Sequence, residues 1–134
     1  MTASERIKQA RDSMEDALFF SREHMGNKPV MTKLYHSMME SLFALFAIRD
    51  MGRLTHADVI ERFEREYIRS GRIDGKILDA LRRAYDLTHE CDCDHMPMPT
   101  DEETKSTMKA AEELISATAG LLGTEVTKHE SSTV

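Results

Sequence analysis

No stretch of this sequence alternates apolar and polar residues with the period of a strand, and β-branched residues are sparse. Apolar residues instead recur three and four apart along the chain, the period of an α-helix with one buried face. Threonine–acid pairs mark where the helices begin. Thr2 with Glu5, Thr55 with Asp58 and Thr100 with Glu103 have the spacing of a capping box, in which each partner satisfies a backbone N–H of the other. Pro29, two residues after Asn27, suits the first turn of another helix, and Asp74 or its neighbour opens a further one.

Between these signals five helices are expected. The first carries Ile7, Ala10, Met14, Ala17, Leu18 and Met25 on one face and runs to about Gly26. The second, from about Pro29 to Met51, is the most apolar: Met31, Leu34, Tyr35, Met38, Met39, Leu42, Phe43, Leu45, Phe46 and Ile48 cover more than one face. Such a helix sits centrally, and its surplus face predicts burial against a second subunit. Its one polar stripe is Lys33, His36 and Glu40. The third buries Val59, Ile60, Phe63 and Tyr67 and stops at Gly71; its opposite face repeats Arg62, Arg65, Arg69 and Arg72, interleaved with Glu61, Glu64 and Glu66. That ridge reads as a solvated face of local ion pairs, with a phosphate-contacting ridge as the alternative. The fourth follows Ile77, Leu81, Ala84, Thr88 and Cys91, and the fifth Met108, Ala111, Leu114, Ile115, Leu121 and Leu122.

With 134 residues the chain has the size of one domain, so the expectation is an all-α, up-and-down bundle over 1–122 with a flexible polar tail at 123–134. The chain lacks a run of about 18 apolar residues, the length needed to span a membrane. MTASERIKQA has no apolar core of a signal peptide, which points to the cytoplasm. A net charge of −6 argues against a general nucleic-acid-wrapping surface. Charge is uneven, though. Residues 86–103 hold seven acids and no Lys or Arg, while residues 61–83 hold seven basic groups against five acids.

Chemistry-bearing side chains concentrate in Leu81–Pro99, LRRAYDLTHECDCDHMPMP. Arg82, Tyr85, Asp86 and His89 share one helical face. An extended segment would put His89, Cys91, Cys93 and His95, all zinc-type ligands, on one side; a helix through Cys91 would scatter them, and one-residue gaps oppose a closed tetrahedron. No cofactor is therefore expected, with zinc at these four as the alternative.

The succession ARDSMEDALFF, TKLYHSMMESLFALF, THADVIERFEREYIRSG and LRRAYDLTHECDCD resembles the HEPN domain, and within it the small stand-alone proteins encoded beside minimal nucleotidyltransferases. The likeness covers about residues 4–122. It implies a dimerising helical bundle that takes part in a toxin–antitoxin-like pair. Beside it, the polar stripe of the second helix and the polar face of the fourth offer Lys33, His36, Tyr85, Asp86 and Asp92 as candidate binding residues. Many relatives of that kind are metal-independent ribonucleases with an Arg-x4–6-His motif, and Arg82 with His89 fits the spacing. His89 would then be the general acid or base and Arg82 the clamp on the phosphorane. Where the subfamily typically has Arg, Asp and Tyr, this chain has Thr88, Asp92 and Cys93. The missing Arg and Tyr, with the acidic run beyond them, favour a non-catalytic partner or regulator of a nucleotidyltransferase over a nuclease.

Overall fold

A computed structural model describes residues 2–89 and 98–133, with side chains for 2–88 and 98–123. The described residues form an all-α bundle of five helices: α1 (Ala3–Arg22), α2 (Asn27–Leu45), α3 (His56–Phe63), α4 (Gly75–His89) and α5 (Asp101–Thr133). No described helix is long and apolar enough to cross a membrane. α3 continues into a π-helical turn, Glu64–Ile68, in which the Arg69 N–H reaches back five residues to the Glu64 carbonyl at 2.9 Å.

The starts follow from the local chemistry. Thr55 accepts from the Asp58 N–H at 3.1 Å while Asp58 accepts from the Thr55 N–H at 3.0 Å, a complete capping box. Thr100 and Glu103 do the same at 3.0 and 3.2 Å. Thr2 caps α1 through the Glu5 N–H, and Asp74 accepts from the Lys76 N–H to open α4.

The ends differ from the expected ones. α1 stops at Arg22, so Met25 lies beyond it and is 51% exposed instead of joining the apolar face. Gly26 starts α2 as its N-cap, at φ 100°, where a side chain would be strained. α2 stops at Leu45, short of Met51 and Gly52. Three helices end in one pattern: a residue at positive φ, with N–H bonds crossing back over the last turn. His24 (φ 55°) holds this place after α1, Ala47 (φ 53°) after α2 and Gly71 (φ 77°) after the π turn. After α2, Ile48 N–H bonds Phe43 O at 2.9 Å and Ala47 N–H bonds Ala44 O at 3.2 Å, a Schellman motif. Ile48, 8% exposed, supplies the apolar contact that holds the alanine there. Ala47→Gly removes the Cβ penalty and should raise stability by about 0.5–1 kcal/mol in urea unfolding.

α2 is the central helix. It packs on α1, α5, α4 and α3, and Val30, Met31, Leu34, Tyr35, Met38, Met39, Leu42 and Phe43 are all buried with Ser37 and Ser41. One protomer therefore covers the surplus apolar face that suggested a second subunit. The reason is four-sided packing: two buried serines, bonded back to Leu34 O and Ser37 O, give α2 a small face as well as large ones.

Arg83 links α4 to α5 by donating to Glu103 at 2.7 Å. That bond, with the Thr100 backbone N–H, holds the Glu103 carboxyl below its usual range. A carboxylate favoured in the folded state stabilises above its unfolded pKa and loses that contribution as pH falls through the folded one. The pair is largely exposed, so stability should drop by less than about 1 kcal/mol on acidification below about pH 4. Denaturation midpoints of wild type and Arg83→Ala should differ at neutral pH and converge in acid.

Candidate functional site

A groove of about 450 Å³ opens between α3 and α4, lined by Ala57, Ile60, Glu61, Glu64, Arg69, Arg82, Tyr85 and Asp86. Helical spacing explains the α4 side: Leu81 and Ala84 are buried, which turns Arg82, Tyr85 and Asp86 to the adjoining flank. Across the groove Glu64 receives Arg82 in two bonds, at 2.9 and 3.4 Å. Arg69 Nη2 lies 4.0 Å from the same carboxylate. Glu64 had looked like a local partner of the arginine ridge; its main partner is instead a residue on another helix.

Behind the groove the floor is aromatic. Tyr85 meets Tyr35 edge-on, with ring centres 6.1 Å apart. Tyr35 is buried, and its hydroxyl lies 2.6 Å from His56 Nδ1. Burial, then the neighbouring Tyr85, pushes the Tyr35 phenol well above its usual range, so it stays protonated. The two side chains share this one hydrogen bond, and its direction follows the His56 tautomer. His56 also meets Phe43 edge-on at 5.8 Å. Nothing in local spacing singles out His56 beyond its place inside the Thr55–Asp58 capping box.

Lys33 and His36 are elsewhere. Tyr35 points towards α3 and α4, whereas its neighbours on α2 flank α1: Lys33 pairs with Asp16 at 3.4 Å. His36 lines a second groove with Gln9, Asp12, Ser13, Asp16 and Glu40. The expected binding set thus divides between two surfaces, because adjacent residues on a helix lie about 100° apart. A larger cavity, about 530 Å³, sits where α1 ends and α2 and α5 begin; there Asn27 bonds Pro99 O at 3.0 Å and Asp101 at 2.8 Å.

His89 closes α4, and its side chain lies outside the described residues, as do Cys91, Asp92, Cys93 and His95. Among the described residues, no three His, Cys, Asp or Glu side chains gather as metal ligands do. Comparison with protein-family models, curated proteins and solved structures finds no match for this chain.

Proposed function

We propose that this chain is a HEPN-like protein of the cytoplasm that serves as a non-catalytic partner or regulator of a minimal nucleotidyltransferase, in a toxin–antitoxin-like pair. The observation that carries the reading is the two-point pairing of Arg82 with Glu64. A guanidinium that clamps a phosphorane must turn its N–H fork to phosphate oxygens. Arg82 turns that fork to a carboxylate of its own protein, and Glu61 and Asp86 add negative charge to the same groove. Phosphate entering there would meet three acids and only two arginines.

A binding module needs complementary surface instead. Asp86, Asp101 and Glu102 are exposed and suit a basic face on the partner. The resemblance implies a homodimer as well. Since α2 is covered within one chain, a second subunit would seat on other apolar side chains; among the described residues Phe19, Met25, Leu54 and Met98 are the large ones left exposed.

Co-purification tests the reading. A tagged chain expressed from its own operon should retain the neighbouring nucleotidyltransferase at low salt and lose it progressively as salt rises. Absence of such a neighbour, or its failure to follow the tag at low salt, would overturn the proposal.

A further inference from the structure

We propose that the groove between α3 and α4 seats an arginine side chain presented by a basic segment of the partner protein. The groove carries more negative charge than its own cations answer. Both of its arginines are directed to one carboxylate: Arg82 bonds Glu64 at 2.9 and 3.4 Å, and Arg69 Nη2 lies 4.0 Å from it. Glu61 and Asp86 line the same groove, are exposed, and form no ion pair among the described residues. They come from opposite walls, Glu61 from α3 and Asp86 from α4.

The kind of cation follows from how these acids are spread. Among the described residues, carboxylates do not gather on one point as metal ligands do. An ammonium is likewise a compact point charge with tightly held water. A guanidinium is planar and presents five N–H donors in a wide fork, so it can answer acceptors that stand apart. The groove already holds one such group: Glu64, with its side chain only 24% exposed, takes Arg82 through two bonds. Beside the acids, the walls offer Ile60 and the partly buried Tyr85. That apolar surface suits the methylene stem and the weakly hydrated head of an arginine.

A single arginine in an open groove gains little, whereas a segment with several cations also meets the surface beyond it. Arg83 ties α4 to the first turn of α5 through Glu103, and Asp101 and Glu102 of that turn are exposed. Charge complementarity of this extent steers association and fixes orientation. The inference deepens the reading above and rests on it for the partner's identity, but the seat in the groove can be tested without that partner.

Fluorescence anisotropy of a labelled peptide of three arginines alternating with glycines, in about 50 mM salt, tests the groove by itself. Wild type should bind, with affinity falling as salt rises. Glu61→Gln with Asp86→Asn, isosteric changes at exposed positions, should weaken binding about fivefold or more. Asp12→Asn with Glu15→Gln removes as much charge from exposed positions of α1, which packs on α2 and α5, and should change binding by less than about twofold. The matching lysine peptide should bind about threefold or more weaker than the arginine one. In co-purification from the operon, the Glu61→Gln, Asp86→Asn chain should release the nucleotidyltransferase at lower salt than wild type does.

The inference is overturned by an absence of peptide binding at about 500 µM wild-type protein, by a loss no greater than that of the α1 variant, or by a lysine peptide that binds as well. Magnesium ions that displace the peptide more than sodium at equal ionic strength would make the groove a metal seat instead. A groove variant that keeps the neighbour as firmly as wild type also overturns the inference, and leaves the broader reading standing. A neighbour that wild type does not retain removes that reading, and the peptide result then decides the groove alone.

Discussion

Arg6→Ala should lower the melting temperature by roughly 10 °C, corresponding to about 3 kcal/mol for a chain of this size. Arg6 lies on α1, yet its guanidinium finishes α2. Nη1 donates to Glu40 at 3.1 Å, and Nη2 donates to Ile48 O at 3.3 Å and Arg49 O at 3.2 Å. Its Cζ sits 5.1 Å from the centre of the Phe43 ring. The ion pair is well sheltered, with side chains 14% and 20% exposed. Removing the arginine would leave Glu40 without its cation and two carbonyls without their donor, which is why the effect exceeds that of a surface pair. A double-mutant cycle with Glu40→Gln separates the ion pair from the carbonyl bonds; the coupling should account for less than the whole loss. A single Arg6→Ala shift of only one or two degrees would show that α2 ends without this brace.

Phe63→Ala should be more damaging still, at about 4 kcal/mol, a large part of the stability that a domain of this size has. Phe63 is fully buried at the junction of α3 with the π turn and stacks on Tyr67. Its loss opens a cavity between α3 and the core and removes the ring stacked on Tyr67. Phe63→Leu should cost about 1.5 kcal/mol or less, because most of the volume is kept. Chemical denaturation of both variants gives the comparison. Equal losses for Ala and Leu would mean that ring stacking, rather than volume, matters at this position.

Five helices could be read from the sequence because their starts are local. Thr55 with Asp58 and Thr100 with Glu103 satisfy each other within one turn, so spacing alone locates them. The ends were less legible because tertiary contacts choose them. Ala47 adopts positive φ with Ile48 buried beside it and Arg6 holding the next carbonyls, and nothing in FALFAIRD announces that. Gly26 and Gly52 were the more obvious stops, and neither ends its helix.

The candidate site divides in the same way. Arg82, Tyr85 and Asp86 meet in one groove as a single helical face requires. Lys33 and His36 belong to the α1 side, because α2 is buried on several sides and its flanks face different helices. The pairing of Glu64 with Arg82 spans eighteen residues of sequence and depends on how α3 crosses α4. The π turn leaves no sequence mark at all, and Arg72 lies beyond Gly71, whose positive φ ends the helix.

The central claim is that the groove holding Arg82 does not cut RNA. Purified wild type, Arg82→Ala and His89→Ala, each shown to be folded by circular dichroism, can be incubated with structured and single-stranded RNA without added metal. The account predicts that all three leave both RNAs intact, at the level of a protein-free blank. Cleavage by wild type that both substitutions abolish would contradict it.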